Sequence, residues 1–227
     1  LYADMSNRVM RILGEFSPHQ EVYSIDESFV DLTGAPNLRA LSYAMRERVS
    51  MWTGMPVCVG IGPTKTLAKL ANHVAKKHPR SQGVFNYNDL NDAQKASLLK
   101  RIPVSEVWGV GRKLTQRLLA HGVETVLDLR EAHIPSLRAE FGVVMEKTQR
   151  ELQETPCIQL EEVSADKQQI IASRSFGSMV TDLPVLKDAL STFVANACAK
   201  LRAQNSQAAV IQVFLQTNRF RKDLPQY

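Results

Sequence analysis

Apolar residues Leu1, Met5, Val9, Ile12 and Phe16 recur at steps of three and four, so the chain opens along one face of an amphipathic helix. Residues 21–25 and 29–32 are then two β-type runs around the polar Asp26-Glu27-Ser28, the pattern of a hairpin. Leu41, Met45, Val49 and Trp52 mark a second helix ending at Gly54, and residues 57–61 read as a buried strand. From Thr64 another helix turns Leu67, Leu70, Ala71 and Val74 inward. Strands alternating with helices predict an α/β region over residues 1–88. Strand signals then vanish. Helices are expected at 93–101, 112–121, 136–141 and 143–154, an all-helical module within residues 89–155. Residues 156–168 lack periodicity and contain Pro156 and Glu161-Glu162, which suggests a linker. Residues 169–227 predict an α+β region: a strand at 169–176, a helix at 186–203 after Asp182 and Pro184, and an alternating strand at 208–217. The opening inside a helical pattern without a start methionine, and the close soon after an unpaired strand, suggest an internal piece of a longer protein.

Composition narrows the classes. With 44% hydrophobic and 22% charged residues the 227-residue chain has material for a core, which excludes wholesale disorder. No apolar run approaches the roughly 20 residues of a membrane span. Cys58, Cys157 and Cys198 have neither disulfide-framework nor metal-ligand spacing, so a reducing, cytoplasmic setting is expected. The net charge of +5 is uneven: residues 166–227 hold eight Lys/Arg against four Asp/Glu. Such a segment suits a polyanionic partner, although solvated surplus lysines look the same.

Three segments carry candidate chemistry. Asp26 and Glu27 sit at the expected hairpin turn, where adjacent carboxylates converge rather than point to opposite faces as in a strand. Two such groups form a hard-oxygen site suited to Mg²⁺, and the same dipeptide also serves as a plain polar turn. In the stretch from Val59 through Gly62 to Lys69, a strand, a Gly-rich turn and a helix resemble a phosphate loop, but Thr64 stands where G-x-x-x-x-G-K-[ST] requires glycine. What remains is a basic face of Lys65, Lys69 and His73, suited to a triphosphate or simply solvated. Third, Val107-Trp108-Gly109-Val110-Gly111 followed by Arg112-Lys113 is the pattern of a helix–hairpin–helix, whose turn amides meet phosphates without reading bases.

In this order, Ser24-Ile25-Asp26-Glu27, the segment from Gly60 to Asn72, and Val107–Gly111 resemble the Y-family translesion DNA polymerases. Leu1-Tyr2-Ala3-Asp4-Met5-Ser6, Ala71-Asn72-His73 and Ser173-Arg174-Ser175-Phe176-Gly177 are similar to the UmuC-type members, the catalytic subunits of bacterial DNA polymerase V. The resemblance spans essentially the whole chain. It implies a partial palm at 1–88, a thumb with the helix–hairpin–helix at 89–155, a linker at 156–168 and the first half of a little finger at 169–227. It implies template-directed synthesis past damaged bases, error-prone and SOS-type, by two-metal nucleotidyl transfer. Asp26 and Glu27 then hold catalytic Mg²⁺, Lys69 and the neighbouring Lys65 bind nucleotide, and Gly109, Val110, Gly111, Arg112, Lys113, Ser173, Arg174 and Ser175 contact DNA. The implied partners are primer–template DNA, deoxynucleoside triphosphates, a UmuD-type accessory subunit, RecA and the sliding clamp, at the bacterial nucleoid. The family's first metal-binding aspartate, fingers and sugar gate would precede Leu1, so the 227-residue chain alone is expected not to extend a primer. The rival readings are a non-catalytic DNA-binding module using the hairpin, and a P-loop nucleotidase, which the missing glycine before Lys65 disfavours.

Overall fold

Asn37, Thr64, Asn91 and Thr125 each accept a main-chain N–H at the first turn of a helix, and these caps set where the chain becomes helical. The computed structural model describes residues 1–162, 166–217, 220, 221 and 223. The remainder of the 156–168 and 169–227 regions lies outside the described residues. Packing divides the chain into two units, Leu1–Ser164 and Ala165–Tyr227.

In the first unit, α1 (Tyr2–Gly14) packs Val9 and Ile12 against Val49 of α2 (Leu38–Thr53). Between them, β1 (Gln20–Val22) and β2 (Ser28–Val30) form an antiparallel ribbon pairing Gln20 with Val30 and Val22 with Ser28. The ribbon is shorter than its sequence pattern, because the N–H groups of Tyr23 and Ser24 both turn back to the Glu27 carbonyl. β3 (Val59–Ile61) runs parallel to β4 (Val84–Asn86), with α3 (Lys65–Lys77) as the crossover. α3 lies so close to β3 that a Cβ on Gly60 would stand 2.0 Å from the Asn72 nitrogen. Only glycine permits that approach.

The helices α4 (Asp92–Arg101), α5 (Arg112–Ala120), α6 (Val126–Glu131), α7 (Ile134–Phe141) and α8 (Val143–Leu152) follow. Leu67, Leu70 and Val74 of α3 share one apolar cluster with Leu99, Val104, Val110, Leu118, Leu129, Met145 and Leu152. The α/β elements and the helical module therefore have a common core. The chain on either side of α5 is closed by a short bridge: Val104 N–H donates to the Glu124 carbonyl and Val126 N–H to that of Ile102.

Residues 156–162, expected as part of a linker, are fastened down. The fully buried Glu151 accepts N–H groups from Thr66, Cys157 and Ile158 at 3.0, 2.7 and 3.1 Å. Glu161 N–H donates to Glu21, and the Glu162 carboxylate meets His19 Nδ1 at 2.7 Å. The strap has no periodicity because polar groups scattered over other elements hold it.

In the second unit α9 (Leu183–Ala203) begins with Pro184 in its first turn. The strands expected at 169–176 and 208–217 do not form among the described residues. The 208–217 run has the alternation of a strand, but a strand exists only by pairing, and neither run has a ladder partner there. Val210, Ile211, Phe214 and Leu215 are accordingly exposed. No helix among the described residues is long and apolar enough to cross a membrane.

Candidate active site

The β1–β2 turn presents two carboxylates. Asp26 is exposed and accepts the Ser24 hydroxyl at 2.7 Å. Glu27 is partly buried and forms an ion pair with Lys69 Nζ. Facing the turn is α3, whose first three turns carry Lys65, Lys69 and His73 at four-residue spacing. Each of these three meets a carboxylate from a different part of the chain. Lys65 Nζ lies 2.5 Å from Glu21 of β1, Lys69 is on Glu27, and His73 Nδ1 lies 3.1 Å from Glu106.

The two lysines are not equivalent. Lys65 is 9% exposed and its partner Glu21 6%, and Lys65 also reaches the Gln159 carbonyl at 3.3 Å. Its ammonium is consumed inside the protein, binding ribbon and strap to the helix. Lys69 is 24% exposed and Glu27 32%, so that pair remains open to solvent and to exchange of partners. Of the candidate nucleotide-binding residues, Lys69 alone stands at the carboxylate turn with a free approach.

The helix–hairpin–helix turn lies beside this site. Trp108 Nε1 donates to the Tyr23 hydroxyl at 3.1 Å, and the next residue, Gly109, has a φ of 85°, which glycine adopts without strain. Val110 is buried and anchors the turn, whereas Gly111, Arg112 and Lys113 are exposed at the start of α5. Gly111 offers no capping side chain, so the first amides of α5 face outward, as do the Arg112 and Lys113 side chains, which form no ion pair among the described residues. Ser173, Arg174 and Ser175 belong to the second unit and are exposed in irregular backbone.

Two participants escape a reading of the pattern. Glu21 is buried while its neighbour Val22 is 48% exposed, the reverse of apolar alternation, because Lys65 needs a partner beneath the ribbon. Trp108 reads as a hydrophobic turn residue, and only the fold brings it to Tyr23. As for the implied metal, Asp26 and Glu27 are oxygen donors of the kind Mg²⁺ prefers. Among the described residues no group of three or more His, Cys, Asp or Glu gathers to hold an ion, so the two carboxylates would supply only part of the ligands Mg²⁺ needs.

Family comparison decides what these elements belong to. The impB/mucB/samB family model matches residues 1–73, the helix–hairpin–helix motif of the same family residues 92–123, and its C-terminal domain residues 167–226. Together they account for well over half of the chain. It belongs to the impB/mucB/samB family. Protein UmuC of Salmonella typhimurium strain LT2 is 46% identical over 231 residues, all of this chain and 54% of that protein. DNA polymerase IV of Moorella thermoacetica is 31% identical over 63% of this chain and 35% of its own length. Among solved structures, DinB from Sulfolobus solfataricus is 25% identical with a TM-score of 0.53, covering 66% of this chain and 44% of that one. A Y-family DNA polymerase chimera of Dbh and Dpo4 has the same fold over 88% of this chain and 57% of its own, with a TM-score of 0.65 at 24% identity. The chain spans about half the length of the UmuC-type relatives it matches.

Proposed function

We propose that the full-length protein is a DNA-directed DNA polymerase that copies past damaged template bases, an error-prone, SOS-type activity, and that this chain carries part of its palm, its thumb and the start of its little finger. The observation that carries the reading is the Glu27–Lys69 pair: a cation of the α3 face engages a carboxylate of the ribbon turn, and the phosphate-type hairpin adjoins the same ribbon. Family membership gives these elements a common purpose. In that purpose Asp26 and Glu27 are ligands of Mg²⁺. When bound, the ion pair typical of such enzymes favours deprotonation of the primer 3′-hydroxyl and neutralises the departing pyrophosphate.

The chain's own residues divide the remaining work. Lys69 leaves Glu27 for the incoming triphosphate, one anionic partner replacing another, so its charge is never stranded. Lys65, locked to Glu21, keeps α3 and the ribbon in fixed register while Lys69 moves. The amides of Gly109 and Gly111, with Arg112 and Lys113, hold backbone phosphates; the Val110 N–H is already given to the Val107 carbonyl at 2.9 Å, so Val110 serves by anchoring the turn. Ser173, Arg174 and Ser175 of the second unit also contact DNA. Binding through phosphates is blind to base identity, which suits a damaged template. A UmuD-type subunit, RecA and the sliding clamp are the partners we propose for the intact protein at the nucleoid.

The test is Mg²⁺-dependent primer extension past an abasic template site by the full-length protein. Extension beyond the lesion supports the reading. DNA binding without extension under any divalent cation would favour a non-catalytic DNA-binding module.

A further inference from the structure

We infer that Trp108 is a positioning residue that holds the DNA-gripping turn in register with the carboxylate turn; this rests on the polymerase reading above. The ribbon that carries Asp26 and Glu27 needs such a brace. It is two strands of three residues each, pairs with no other strand among the described residues, and so is marginal alone. Trp108 supplies support at the end of the ribbon that carries the turn. Its ring meets Tyr23 edge-on with centroids 5.4 Å apart and Phe29 at 5.5 Å, and Tyr23 meets Phe29 at 5.8 Å. The hydrogen bond from Nε1 to the Tyr23 hydroxyl fixes the ring's rotation as well as its place.

Each partner in this cluster is one step from a working group. Tyr23 N–H donates to the Glu27 carbonyl at 3.1 Å, so Tyr23 is one leg of the carboxylate turn. Lys69 Nζ lies 5.7 Å from the Tyr23 ring centre, and Lys65 Nζ lies 4.7 Å from that of Phe29 and 5.5 Å from that of Trp108. On its other side Trp108 is bonded to Gly109. A shift of the hairpin on DNA is thereby transmitted to Tyr23 and to the geometry around Glu27. Tyr23 is 45% exposed, so the cluster lies at the rim of the site and not in the main core.

Loss of the brace leaves each binding surface intact but misaligns them, and misalignment falls on the chemical step. In the full-length protein, Trp108→Ala should lower kcat about tenfold, with nucleotide KM and primer–template Kd within about twofold of the parent. Trp108→Phe, which keeps a ring, should recover kcat to within about threefold. An unchanged kcat in Trp108→Ala overturns the inference, as does a joint loss of DNA affinity and kcat that phenylalanine does not rescue. A second readout is independent of activity. The 227-residue chain has two tryptophans, so in that chain Trp52→Phe leaves Trp108 as the sole indole. In that background Glu27→Gln, which weakens the hold on Lys69, should shift Trp108 emission, whereas Glu140→Gln should not. Emission insensitive to Glu27→Gln overturns the inference even where the polymerase reading stands. A parent protein that never extends primers overturns the polymerase reading and, with it, the catalytic meaning of the brace.

Discussion

Replacing Lys65 by methionine should unfold the protein more readily than any change at Lys69, although the two lysines lie one helical turn apart. The Lys65–Glu21 pair is 9% and 6% exposed, with nitrogen and oxygen 2.5 Å apart. Removing the lysine leaves a carboxylate out of water with one remaining donor among the described residues, the Glu161 N–H at 2.8 Å. Breaking a buried pair from one side costs about 3–5 kcal/mol. For a unit of this size that corresponds to a fall in melting temperature of roughly 10 °C. The double variant Lys65→Met/Glu21→Met removes both charges and should regain most of the loss, because the penalty lies in the stranded carboxylate and not in an intrinsically strong pair. Lys69→Met breaks a half-open pair and should cost no more than about 1 kcal/mol. Its effect should fall on ligand affinity, weakening triphosphate binding about 10–100-fold, the equivalent of a charge-assisted hydrogen bond. Urea unfolding followed by tryptophan fluorescence measures the stabilities, and nucleotide titration of the full-length protein measures the affinity. Equal stability losses at Lys65 and Lys69, or a double variant as unstable as Lys65→Met, would refute the division of labour.

Three further outcomes follow from the geometry. Gly60→Ala places a methyl group 2.0 Å from the Asn72 nitrogen and 2.4 Å from the Ala68 carbonyl oxygen, both backbone atoms, and should destabilise by about 3 kcal/mol or more in the same unfolding assay. At Gly111 a Cβ meets nothing within 4 Å and φ is −84°, so Gly111→Val should leave the fold intact while crowding the approach to phosphate; fluorescence anisotropy at fixed salt should show weaker DNA binding, and unchanged affinity would make the hairpin an ordinary turn. The Thr125 N–H, 2.8 Å from Asp128, holds that carboxyl below its usual 3.8, and the Thr125 hydroxyl and Glu124 N–H add to this. A depressed folded pKa contributes stability that is complete above about pH 4–5 and lost as pH falls through the folded value; melting curves over that acidic range should therefore flatten in Asp128→Asn, and an unaltered pH dependence would remove Asp128 as the cause.

How much of this was legible in the pattern depended on whether the decisive interaction was local. The helices α1, α2, α3 and α9 announce themselves because three-to-four-residue periodicity and caps such as Thr64 act within a turn or two. The ribbon turn at Asp26-Glu27 was equally readable from its polar break. β4 and α6 were not foreseen: the first is three residues long and exists by pairing with β3, and the second spans six residues fixed by the Thr125–Asp128 capping box. The run at 208–217 shows the converse, since correct alternation makes no strand without a neighbour, and the run at 169–176 likewise pairs with nothing among the described residues. At the site, helical spacing set Lys65, Lys69 and His73 on one face, and the family resemblance is what singled out Lys69. The burial of Lys65, the inverted exposure of Glu21 and Val22, and the Trp108–Tyr23 contact depend on residues 44 to 85 positions apart, which no local pattern encodes.

In the proposed polymerase the ribbon turn is the catalytic element and the hairpin a separate grip on DNA. The most direct test of this division is primer extension by the full-length protein carrying Asp26→Ala, measured with Mg²⁺ and all four nucleotides beside the Kd for the same primer–template. Extension should be abolished while DNA affinity stays within about twofold of the parent. Extension at the parental rate, or loss of DNA binding in step with loss of extension, would contradict the division.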